Sequence, residues 1–132
     1  MTTRYKRPDR KNASSILQAA ERDMDFTLSL KLTEQSTSTI VRNIYECFRM
    51  LGDSLMVSRG LESDDHIAPI RELMKLKINT PRPINLLDNM RILRHNINYY
   101  GYSPTILEAE DAVSFAKACF WMILKAVKSG IE

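Results

Sequence analysis

Only 4 of the 132 residues are glycine and 5 are proline, too few for a disordered chain or for an all-β protein built on tight turns. Two cysteines, Cys47 and Cys119, have neither CxxC spacing nor histidines beside them. That excludes a zinc site and a disulfide framework and leaves two buried free thiols as the expectation. No uncharged apolar run approaches the ~18 residues a membrane span requires, and residues 1–30 lack a signal-peptide core. The expectation is a cytoplasmic chain with no membrane segment. There is no glycine-rich phosphate loop, no Ser/His/Asp constellation and no cluster of metal ligands, so neither cofactor nor metal is expected.

A large charge excess is missing too. The net charge is +3, and it is unevenly placed: Arg4, Lys6, Arg7, Arg10 and Lys11 against Asp9 leave the first 11 residues at +4 and the rest at −1. A basic arm of this kind can hold phosphate, or it can be a solvated terminus. What remains is ordinary globular composition, 44% hydrophobic and 27% charged, in a chain long enough for one core. The expected organisation is a basic tail over residues 1–13 followed by one helical domain over residues 14–132.

Five segments carry helical periodicity. The first opens at a capping box, Ser15 with Gln18, and runs to about Leu32, with Ile16, Ala19, Ala20, Met24, Leu28 and Leu32 on one stripe. After the polar break Thr33 to Thr39, a second long segment from Ile40 places Val41, Ile44, Tyr45, Phe48, Leu51 and Leu55 inward and stops at Gly60. Ser63, with Asp64 and Asp65 behind it, predicts a third helix over about Asp64 to Leu76. The run Asn79-Thr80-Pro81-Arg82-Pro83 cannot be helical and serves as a connector. A fourth helix follows from Pro83 or Ile84 to near Gly101, and a second capping box, Thr105 with Glu108, opens a fifth that ends at Gly130. No period-2 strand competes. The pattern specifies an all-α, up-and-down bundle of four to five helices framed by the second and fifth. The last helix is apolar nearly all round over Ala116, Cys119, Phe120, Trp121, Met122, Ile123 and Leu124, which leads to the expectation of a homodimer covering its second face.

The stretch Ile40-Val-Arg-Asn-Ile-Tyr45-Glu-Cys-Phe48, leading to Arg59-Gly60 and His66-Ile67-Ala68-Pro69-Ile70, resembles the second helix and following turn of HEPN domains. Met90-Arg-Ile-Leu-Arg94-His-Asn-Ile-Asn-Tyr99-Tyr-Gly101, followed by the helix from Thr105, resembles their fourth helix, where a late arginine and a polar residue precede a glycine turn. The resemblance covers residues 14–130. It implies a helical bundle like that of nucleotidyltransferase substrate-binding subunits, commonly a two-fold dimer, in a group that includes RNA-cleaving toxins, nucleotidyltransferase partners and catalytically silent relatives.

The chain departs from that family in its catalytic motif. Active family ribonucleases separate an arginine from a histidine by four to six residues, and here Tyr99 and Tyr100 stand at the positions counted from Arg94. His95 follows Arg91 one residue too soon. Arg59 and His66 have a permitted spacing but straddle a turn away from the motif, a coincidence on this reading. Metal-independent RNA cleavage needs one group to take the 2′-hydroxyl proton, one to return a proton to the leaving oxygen, and a cation on the phosphate. Tyrosine is a poor base at neutral pH but can stack on a nucleobase.

Binding therefore survives the exchange more readily than cleavage. Arg91, Arg94, His95, Asn98 and Tyr99 are the candidate ligand-binding residues, on one face of the fourth helix. The same face also reads as a solvated surface paired with carboxylates such as Asp88. Arg42 and Tyr45 read as a buried tyrosine with a paired arginine, His66 as a surface residue and the methionines as core filler. The expected function is a HEPN-like homodimeric module, catalytically weak or silent, binding nucleotide, RNA or a protein partner, in a toxin–antitoxin pair with a nucleotidyltransferase. The alternative is an active metal-independent HEPN ribonuclease toxin in which His95 is the acid or base and Arg94 holds the phosphate.

Overall fold

A computed structural model describes residues 3–131; Met1, Thr2 and Glu132, the ends of the expected tail and domain, lie outside the described residues. In chain order the elements are β1 (Thr3–Tyr5), α1 (Arg10–Ser29), α2 (Thr37–Ser58), β2 (Leu61–Ser63), α3 (Ala68–Met74), α4 (Leu86–Tyr100) and α5 (Ile106–Ile131). The chain is an all-α bundle with one small ribbon. Among the described residues no helix is long and apolar enough to cross a membrane.

The bundle is organised around α2, against which α1, α3, α4 and α5 all pack. Its apolar stripe, Ile40, Val41, Ile44, Tyr45, Phe48, Leu51 and Leu55, is buried. The Phe48 ring meets Phe115 and Phe120 of α5 at centroid separations of 5.4 and 5.3 Å. Side chains of this size each contribute about 1.5–3 kcal/mol on burial, so α2 and α5 form the frame their periodicity predicts. α1 lies along α2 as a third long member, tied to it where the buried Ser54 hydroxyl donates to the Ala13 carbonyl at 2.7 Å.

Several start and stop signals act as read. Thr105 and Glu108 form the reciprocal box: the Glu108 N–H donates to Thr105 Oγ1 at 3.1 Å and the Thr105 N–H to Glu108 Oε1 at 3.0 Å. Gly60 and Gly101 take positive φ, 69° and 63°, the left-handed conformation that ends α2 and α4. Gly130 does not end α5, which continues to Ile131.

Other boundaries differ. α1 begins at Arg10 instead of Ser15, because Asp9 is the N-cap: its Oδ1 accepts from the Asn12 N–H at 2.9 Å. Ser15 lies inside the helix, donating to the Lys11 carbonyl at 3.2 Å. The buried stripe is correspondingly Ala13, Leu17, Ala20, Met24 and Thr27, with Ile16 and Ala19 only half-buried. α3 starts at Ala68, later than Asp64. Ser63 belongs to β2, and Asp65 folds back on itself, its Oδ1 accepting from the Ile67 N–H at 2.8 Å, which makes a side-chain turn where the first helical turn was expected.

Part of the basic arm is built into the fold. Residues 3–5 pair antiparallel with residues 61–63, Arg4 opposite Glu62, and residues 10–13 are helical. Ribbons of three residues carry no readable period, which is why the sequence shows no strand. The Lys6 N–H donates to the Gly60 carbonyl at 2.5 Å, and a Cβ on Gly60 would collide with the Lys6 carbonyl. A second close approach holds α3: a Cβ on Gly52 of α2 would overlap the Pro69 carbonyl.

The apolar surplus of α5 is largely consumed within the chain. Ala116, Cys119, Phe120 and Ile123 are buried, and Trp121 packs edge-on against Phe120 while its Nε1 donates to Glu21 of α1 at 3.2 Å. Met122 is exposed.

Candidate functional site

The helical phase of α4 turns one face toward the bundle and another toward the turn that joins β2 to α3. Leu87, Met90 and Ile97 are buried on the first. On the second, Arg91, Arg94, His95 and Tyr99 line a cleft of about 370 Å³ whose other wall is Asp64, Asp65, His66 and Ile67 and to which α2 contributes Tyr45. Four of the five expected residues thus come together. Asn98 is exposed and is not part of the lining.

Tyr45 is 2% exposed, and the guanidinium carbon of Arg94 stands 5.6 Å from its ring centroid. Burial pushes the Tyr45 phenol above its ordinary pKa, against the opposing pull of the positive charges on Arg94, Arg49 and Arg91, so it is a neutral ring at physiological pH. The expected partner of Tyr45, Arg42, is exposed and outside the cleft; Arg94 takes that place. Arg91 is partly engaged, its Nε 2.9 Å from Asp88 Oδ1. Arg94 has no carboxylate partner among the described residues, so its charge is available to a ligand. Beside it the His95 ring stacks on Tyr99 at 4.6 Å, tilted by 33°, and meets Tyr100 edge-on at 5.8 Å. His95, Tyr99 and Tyr100 are all exposed, which leaves an aromatic step open to solvent next to a guanidinium.

His66 is exposed, as its reading as a surface residue expects, and it also lines the cleft. It lies in the same cleft as His95, so the two histidines of the chain line one site. Its spacing from Arg59 has no structural meaning, because Arg59 reaches instead toward Glu72, 3.8 Å away. The charge of His66 reaches Asp53 of α2, whose carboxyl burial and Glu46 push up while Arg49 and His66 pull it down; Arg49 Nη1 holds it at 2.7 Å. Nothing in the residue order signals this, since His66 reaches the cleft only through the Asp65 turn and the docking of Pro69 on Gly52.

Cys47 and Cys119 are buried and unpaired, as expected, and burial pushes the Cys47 thiol up to about 12, which makes it unreactive. Arg82 in the connector pairs with Asp111 at 2.9 Å and lies over Phe115, fastening the segment before α4 to α5. Compared with family models, curated proteins and solved structures, the chain gives no match.

Proposed function

We propose that the cleft between α4 and the β2–α3 turn binds the phosphate and base of single-stranded RNA or of a nucleotide. The observation that carries this reading is Arg94, a guanidinium with no carboxylate partner among the described residues, held on the Tyr45 ring and adjoining the open His95–Tyr99 stack. An unpaired cation supplies the attraction to phosphate, and an exposed aromatic step supplies a surface for any base. The HEPN resemblance supports the same choice through residues 90–101, and the departure from that family's Arg–His spacing favours a non-cleaving module working beside a nucleotidyltransferase in a toxin–antitoxin pair. The reading is tested by titrating fluorescein-labelled single-stranded RNA with the protein and with Arg94→Ala: binding that falls at least tenfold in the variant supports it, and equal binding removes it.

A second reading, a metal-independent ribonuclease, is favoured by His66 joining His95 in the cleft. Two imidazoles from different elements supply one group to accept the 2′-hydroxyl proton and one to protonate the leaving 5′-oxygen, with Arg94 on the phosphate. Incubation with RNA in EDTA separates the two readings. Cleavage lost in both His66→Ala and His95→Ala supports the enzyme, whereas retained binding without cleavage supports the module.

A further inference from the structure

Within the cleft lining, two guanidiniums, Arg91 and Arg94, stand with two carboxylates, Asp64 and Asp65. That set alone has no net attraction for an anion, and Arg91 is also shared with Asp88. One oxygen of Asp65 is occupied by the Ile67 N–H. Asp64 is met from outside the lining: Arg4 on β1 donates from Nη1 and Nη2 to its two carboxylate oxygens, each at 2.8 Å. This two-pronged fit is the geometry in which guanidinium and carboxylate interact most strongly. The strand behind it is fixed, since β1 pairs with β2, Lys6 Nζ lies 3.1 Å from Glu62, and the Asp9 N–H donates to the Val57 carbonyl at 3.1 Å.

We propose that Arg4 is a positioning residue of the cleft: by engaging Asp64 it offsets one of the two carboxylates that oppose Arg94, so that the preference for an anionic ligand is strengthened from β1. The basic arm thus acts on the ligand through a carboxylate of the protein and makes no contact with the ligand itself. Docking of β1 and binding of the anion are then reciprocally coupled, each strengthening the other. The pairing also holds the Asp64 carboxyl below its ordinary range, the direction expected of a carboxylate kept charged by its partner. This inference rests on the anion-binding reading of the cleft.

The test is a double-mutant cycle on the full chain, with fluorescein-labelled single-stranded RNA as the probe and Arg4→Ala, Asp64→Asn and the double variant compared with the parent. At low salt, Arg4→Ala weakens binding about two- to tenfold, the effect of uncovering one charge near the ligand, and the difference shrinks as salt screens it. Asp64→Asn, which removes a carboxylate opposing the ligand, binds more tightly than the parent. In the Asp64→Asn background Arg4 is left to Glu62, 3.6 Å from its Nε, and is no longer held at the cleft, so removing it changes affinity less than about twofold, a result that direct contact or a folding defect does not give. Equal weakening in both backgrounds, or none in the parent, overturns the proposal while the anion-binding reading stands. Arg94→Ala that binds RNA like the parent, or a parent that binds none, overturns both.

Discussion

The guanidinium of Arg94 lies over the ring of Tyr45, one side chain on α4 and the other buried on α2, with 5.6 Å between them. A cation held on an aromatic face keeps its charge and is oriented without a carboxylate to compete with an incoming phosphate.

The first prediction follows from that pairing. Tyr45→Phe keeps the ring and binds RNA within about twofold of the parent. Tyr45→Leu removes it, costs about 1 kcal/mol of the cation–ring interaction and loosens RNA binding about fivefold. Titrations of labelled RNA with the two variants distinguish these outcomes, and an equal loss in both assigns the effect to the hydroxyl.

The stacked pair His95 and Tyr99 gives the second. Both are exposed, so His95→Ala and Tyr99→Ala leave the free energy of unfolding, read by urea denaturation, within about 0.5 kcal/mol of the parent. Each variant binds RNA about tenfold more weakly, the worth of about 1–3 kcal/mol for one stacked base. Loss of stability without loss of binding contradicts this.

The third concerns where α1 begins. Asp9→Ala removes a cap whose oxygen accepts from the Asn12 N–H and lowers stability by about 1 kcal/mol. Ser15→Ala, inside the helix, changes it by less than about 0.5 kcal/mol. Urea denaturation of the pair reads the difference, and the reverse order places the start at Ser15.

The fourth concerns the thiols. Burial raises the folded-state pKa of Cys47 from 9.0 to about 12, so the fold favours the neutral thiol. Its contribution to stability is therefore complete below the unfolded-state value and is lost as pH climbs from about 9 toward 12. Native protein at pH 8 leaves both cysteines unmodified by a disulfide reagent, while urea-unfolded protein reacts at both. Cys47→Ala shows a shallower alkaline loss of stability in urea titrations at increasing pH.

The parts of the fold that were legible are those governed by neighbours in the chain. Thr105 and Glu108 announce the start of α5, and Gly60 and Gly101 announce two stops, because capping and left-handed backbone are local chemistry. Ser15 misleads because it has the form of a cap but lies within reach of a better one at Asp9. The β1–β2 ribbon is illegible for a different reason: its two strands lie at distant points of the chain and are three residues each, so only tertiary proximity defines them. The site divides the same way. Arg91, Arg94, His95 and Tyr99 share a face that helical spacing exposes to view, whereas His66 and Asp64 join them through a turn whose course the residue order does not specify.

Tyr45 under Arg94 and Gly52 under Pro69 are two footings on one rod. Seven residues of α2 separate them, about 10 Å at 1.5 Å per residue, and one face serves both because seven residues make close to two turns. α2 is thus a gauge that sets how far α4 stands from the segment bearing His66. One alanine inserted after Phe48 would lengthen it by only about 1.5 Å but rotate one footing about 100° from the other, parting the two sides of the cleft without removing any residue that lines it.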